Sequence, residues 1–204
     1  MKKSLMELLG TFFFVFTVIM TGNPFAIAAM LMAWVYIGAY VSGAHYNPAV
    51  TLAVALRSHS RSHHIAWFMG AQILGGFLAF AAAAFLGSAV MVPTPAVPLP
   101  QAFVIEMLLA FVLAFVVLVV ATSEKFKTSH VFGFAIGFTI PALAALGATT
   151  SGGLFNPAIA LGASLFGLTQ GIMLDWQNLA MYVFGALLGG VLAAYAFSFF
   201  FEEK

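Results

Sequence analysis

The chain has 204 residues, 63% of them hydrophobic and 6% charged, with a formal net charge of +1 and no cysteine. Seven basic and six acidic side chains cannot give a soluble domain of this length its charged exterior, and no basic stripe is present, so a soluble enzyme, a disordered chain and a nucleic-acid binder are excluded. The absence of cysteine removes disulfides, thiolate metal sites and thiol catalysis, and long apolar runs are not the short alternating segments of a β-barrel.

What remains is an all-α membrane protein. The first apolar run, 5–22, follows Lys2 and Lys3 and has the outline of a signal peptide ending near Ala26-Ile27-Ala28. Glu7 inside the run, and the part it plays in a repeat, mark it instead as span one. Span two covers 25–42. A short apolar stretch follows at 47–56, then span three at 65–90 and a loop with Pro93, Pro95, Pro98 and Pro100. Spans four and five cover 101–121 and 130–148, a second short stretch covers 156–166, and span six covers 176–201. Ten helical residues rise about 15 Å, half of a hydrocarbon core about 30 Å thick. The two short stretches are therefore expected as re-entrant half-helices, which need protein or a watery cavity around them. With the N-terminus in the cytoplasm, all seven basic residues (Lys2, Lys3, Arg57, Arg61, Lys125, Lys127, Lys204) fall on the cytoplasmic side, and the opposite loops carry only Asp175.

The chain also repeats itself. Ser42-Gly43-Ala44-His45-Tyr46-Asn47-Pro48-Ala49-Val50 returns as Ser151-Gly152-Gly153-Leu154-Phe155-Asn156-Pro157-Ala158-Ile159. Glu7 and Glu106 open spans one and four, and Gly75-Gly76 and Gly189-Gly190 mark spans three and six. The halves are expected at 1–92 and 101–204. Three spans per half is an odd number, so the second half enters from the opposite face, as an inverted repeat. Each proline then starts a half-helix, each preceding asparagine caps it, and both positive dipole ends meet near the midplane.

On these residues, with Gly10-Thr11, Thr51 and Ala71-Gln72, the chain resembles the aquaporin, or major intrinsic protein, family over its whole length. The resemblance implies six spanning helices, two half-helices, a pore in each subunit and a homotetramer in the plasma (inner) membrane with both termini cytoplasmic. It implies that Asn47 and Asn156, with Pro48, Ala49, Pro157 and Ala158, form the pore centre, where the asparagines donate hydrogen bonds to passing water and cations are disfavoured. It gives Glu7 and Glu106 a scaffold role under the re-entrant loops, with a proton relay as the other reading of an intramembrane carboxylate. No cofactor, metal, catalytic residue or nucleic-acid partner is implied.

The chain departs from the family at the outer constriction. Ungapped counting assigns those four positions to Ile27, Ala144, Gly153 and Ile159, the last standing where the family normally has arginine. This set carries no charge, aromatic ring or side-chain donor. A wider, apolar constriction is expected, favouring weakly hydrated molecules such as ammonia, carbon dioxide, small alcohols or metalloid hydroxides alongside water. Ala160 stands where the glycerol branch carries aspartate, and Tyr182-Val183 matches neither main branch.

Smaller features have plainer readings. His45 is expected to bond the backbone of its own loop. His59, His63 and His64 form a basic cytoplasmic loop with Arg57 and Arg61, open to a metal or pH role. Gly70, Gly75, Gly76, Gly185, Gly189 and Gly190 suit close helix packing, and the phenylalanines read as lipid-facing bulk. A secondary transporter is the competing reading, since inverted repeats with broken helices also serve alternating access. A structural membrane-junction protein with a vestigial pore is the third.

Overall fold

The computed structural model describes residues 1–58, 62–89, 92–123, 126 and 130–201, without the side chains of Ser62 and His63. Eight α-helices are present among them, and no strand. They are α1 (Lys2–Thr21), α2 (Pro24–Gly38), α3 (Pro48–Ser58), α4 (Ser62–Phe85), α5 (Leu99–Val117), α6 (Phe132–Gly147), α7 (Pro157–Thr169) and α8 (Trp176–Phe201), with a π-helical turn, Leu118–Thr122, closing α5.

Among the described residues, four helical segments are long and apolar enough to cross a membrane: Lys2–Thr21, His64–Phe85, Leu99–Thr122 and Trp176–Phe201. Helices α2 and α6, expected as full spans, have 15 and 16 residues, about 22–24 Å. Each is cut at a glycine that faces a re-entrant loop. A Cβ on Gly38 would strike the Tyr46 side chain, and one on Gly147 would strike Gly153. Beyond each glycine the chain goes on in hydrogen-bonded turns, with the Ser42 and Gly43 N–H groups donating to the Gly38 and Ala39 carbonyls and the Thr150 and Gly152 N–H groups to the Gly147 carbonyl.

The pairing of helices follows the repeat. Helix α1 lies on α4, and α5 lies on α8. The contact surfaces are glycine-lined: a Cβ on Gly75 would lie 2.5 Å from the Leu8 carbonyl oxygen, and one on Gly189 would meet the Met107 carbonyl. The half-helices cross over between repeats. Helix α7 rests on α4 at Gly76, against the Ala158 carbonyl, and α3 rests on α8 at Gly190, against the Ala49 carbonyl. Backbones this close leave no room for a side chain, which is how membrane helices associate without a hydrophobic driving force between them. Gly70 differs from its expected role, since a Cβ there would meet open space.

Candidate functional site

Each re-entrant loop reverses direction through left-handed backbone. Gly43 and Gly152 have φ of 99° and 90°, and the non-glycine residues Ala44, Tyr46 and Phe155 have φ of 54°, 49° and 35°. Such conformations cost of order 1–3 kcal/mol each and persist only where the surroundings fix them. Here buried carboxylates do the fixing. Glu7, fully buried, accepts from the Ser42 hydroxyl (2.5 Å), the backbone N–H groups of His45 (3.1 Å) and Tyr46 (2.7 Å), and Gln72 Nε2 (2.8 Å). Glu106, also fully buried, accepts from the Ser151 hydroxyl (2.5 Å) and from the N–H groups of Leu154 (2.9 Å) and Phe155 (2.5 Å). Four and three donors aimed at one carboxylate replace the hydration that burial removes.

The asparagines close the arrangement. Asn47 Oδ1 accepts from the Ala49 N–H at 2.8 Å, and Asn156 Oδ1 accepts from the Ala158 N–H at 3.0 Å. These are the N-caps of α3 and α7, each with proline as its first residue. The amide nitrogens then reach across the repeat. Asn47 Nδ2 donates to the Phe155 carbonyl at 2.9 Å, and Asn156 Nδ2 donates to the Tyr46 carbonyl at 3.0 Å. Each Nδ2 carries two hydrogens. One is committed to the opposite loop, so both amides are locked with a second N–H left over. The positive dipole ends of two half-helices converge on the same place.

Two cavities flank this centre. The wide one is about 500 Å³ and is lined by Ile27, Ala144, Gly153 and Ile159 together, with Phe14 and Val18. All four positions assigned from sequence to the constriction therefore border one space. The narrow one is about 20 Å³ and touches both asparagines; its apolar wall includes Phe14, Leu31, Leu113, Val117 and Ile136. Phe14 borders both cavities. The sequence reading missed this wall. Phenylalanines were expected mostly to face lipid, and Phe14, 4% exposed at the junction, is not one of those. Its signal was available: Phe14 lies seven residues after Glu7, as Leu113 lies seven after Glu106.

His45 also differs from its expected role. Its backbone N–H goes to Glu7, but its ring pairs with the Thr51 hydroxyl (Nδ1···Oγ1 3.2 Å), which accepts from Gln72 as well (2.8 Å). The ring stands between the narrow cavity and a hollow of about 350 Å³ bordered by Lys3 and His64. Of the expected basic loop, His59, Arg61 and the side chain of His63 lie outside the described residues. Among the described residues no group of three His, Cys, Asp or Glu is placed to hold a metal.

Comparison with known proteins agrees with this architecture. The aquaglyceroporin from Plasmodium falciparum superposes with a TM-score of 0.81, covering 96% of this chain and 94% of its own, at 20% identity; that likeness shows the fold. Among sequence relatives, aquaporin NIP1-4 of Oryza sativa subsp. japonica is 32% identical over 97% of this chain and 76% of its own length. Aquaporin-B of Dictyostelium discoideum is 32% identical over 95% and 81%. The glycerol uptake facilitator protein-like 6 of Lactiplantibacillus plantarum is 30% identical over 96% of both chains. The family model of the major intrinsic proteins matches residues 1–197. With two re-entrant half-helices joined tip to tip inside an all-helical membrane frame, and a family match that runs nearly end to end, this chain belongs to the major intrinsic protein family, whose members are multi-pass membrane channels and not enzymes.

Proposed function

We propose that the chain is a passive channel for water and small uncharged solutes, with Asn47 and Asn156 as the hydrogen-bond donors at its centre. The reciprocal bonds of the two asparagines carry this reading. They hold both amides rigid while leaving each one N–H for a passing molecule, and the converging dipoles oppose a cation at that point. The apolar set Ile27, Ala144, Gly153 and Ile159 lines the entrance without a fixed charge. A solute with little hydration to lose (ammonia, carbon dioxide, a small polyol or a metalloid hydroxide) crosses such a lining at lower cost than a strongly hydrated one. Family resemblance supports a homotetramer with one pore per subunit. The placement of the basic residues supports cytoplasmic termini, with the wide cavity facing out.

A secondary transporter needs an ionisable group at the substrate site to couple a gradient. Among the described residues the titratable side chains bordering the narrow cavity are His45 and Tyr46, the latter donating its hydroxyl to the Trp34 carbonyl, and the buried carboxylates are committed to the loops. The channel reading is tested by stopped-flow permeability of the purified protein in liposomes, for water, glycerol and ammonia. A channel gives flux that rises linearly with the solute gradient and equilibrates it. Saturable uptake that depends on an ion gradient would favour the transporter, and flux equal to that of protein-free liposomes would favour the structural junction protein.

A further inference from the structure

In the structure the four-residue entrance set borders the roomiest space in the passage, about 500 Å³, while the space beside the asparagines is about 20 Å³. A cavity that small holds about one water molecule. Its wall offers no side-chain donor or acceptor from Phe14, Leu31, Leu113, Val117 or Ile136. A molecule there has hydrogen-bond partners on the side of the two amides, the loop backbone and His45, and none on that apolar wall. Anything larger than about one water must push aside side chains that the interior already holds closely, since Leu31, Leu113 and Ile136 are each 5% exposed or less.

We infer that the size filter of this channel is the aliphatic collar of Leu31, Leu113 and Ile136, closed by Phe14 and Val117, at the level of the paired asparagines, and not the four-residue entrance. This rests on the channel reading above and adds where selection by size occurs. The entrance set sorts by hydration and only weakly by size, since it borders a space of about 500 Å³ with room for more than one small solute. The collar admits molecules in single file and in one orientation, with a polar edge toward Asn47 and Asn156 and an apolar edge toward the collar.

The test compares substitutions in the two places. Purified protein carrying Leu113→Ala, Ile136→Ala, Ile27→Ala or Ile159→Ala is placed in liposomes, and permeability to water, urea and glycerol is measured. Leu113→Ala and Ile136→Ala raise the glycerol-to-water ratio by about tenfold or more, while the entrance substitutions leave it within about twofold. The milder Ile136→Val and Leu113→Val, which disturb folding less, move the ratio in the same direction by a smaller factor. Because the chain has no cysteine, Ile136→Cys and Ile159→Cys each supply a unique thiol. Mercuric ion on the first abolishes flux of every solute, and on the second it leaves a substantial part. Entrance substitutions that shift the ratio while the collar substitutions leave it unchanged overturn the inference alone. If neither the unaltered protein nor any variant exceeds protein-free liposomes, the channel reading falls as well.

Discussion

The wide and narrow cavities share several equivalent positions of the two repeats, yet one is open and the other nearly closed. Ile27, Ile140 and Ile159 border the wide space, and their partners 109 positions away, Ile136, Leu31 and Val50, border the narrow one. Val18 and Val117, 99 apart, divide in the same way. One difference is in small residues: Ala144 and Gly153 line the wide side, while the partner of Gly153 on the narrow side is Ala44 and that of Ala144 is Val35, which is buried at 2% exposure outside the narrow lining. Phe14, whose partner is the smaller Leu113, then fills the junction. With isoleucine at 159 and not arginine, both spaces have aliphatic walls; they differ in volume, and the narrow one adds the two asparagines and His45.

The comparison breaks most completely if a loop loses its carboxylate. Glu106→Ala leaves the Ser151 hydroxyl and two backbone N–H groups without their acceptor, and destabilises the protein by about 3 kcal/mol or more. Thermal unfolding in detergent reads this as a large fall in Tm, and an unchanged Tm would refute the scaffold role. Glu7→Ala acts in the same direction, although Gln72 keeps its bond to Thr51 there.

Next in size are the asparagines. Asn47→Ala and Asn156→Ala each remove an N-cap worth about 1 kcal/mol and one of the two cross-loop bonds, and both lower water permeability. The two bonds brace the same pair of loops, so a double-mutant cycle on unfolding gives a coupling of about 0.5–3 kcal/mol; strict additivity would mean that the loops are held independently.

Smaller again is Ile159→Arg, which gives the wide side the charge its partner side lacks. The 500 Å³ cavity has room for the longer side chain. Stopped-flow measurements then show water gaining on ammonia, and a pH-sensitive dye inside the liposomes shows slower proton entry. Equal proton entry in both proteins would mean that the half-helix dipoles alone set the barrier. The smallest effect belongs to Ala144→Val, which copies Val35 into the wide side. The glycerol-to-water ratio falls by less than about twofold, because the collar still limits passage.

Most of the frame is legible in sequence because it rests on residues with few alternative explanations. An Asn-Pro pair that recurs inside a matching block specifies two capped half-helices, and a glutamate within an apolar run requires buried donors. Both re-entrant loops show those features residue for residue. The shorter α2 and α6 are less legible, since an apolar sequence continues past Gly38 and Gly147 while the helix does not. The collar is least legible. Leu31, Leu113 and Ile136 are aliphatic like the residues that face lipid, and hydropathy does not record which side of a helix meets another helix. Only alignment of the repeats against each other distinguishes them, through Ile27 with Ile136 and Leu31 with Ile140.

The exchange of carbonyls between Asn47 and Asn156 has a consequence for the order of synthesis. The acceptor of the Asn47 amide is the carbonyl of Phe155, more than a hundred residues later in the chain. The acceptor of the Asn156 amide was made long before. While the ribosome is still working through α5 and α6, the first half-helix is capped at its own Ala49 but has nothing to grip across the midplane. It completes its centre only when the second loop arrives, so the nascent first half waits, open, for its counterpart.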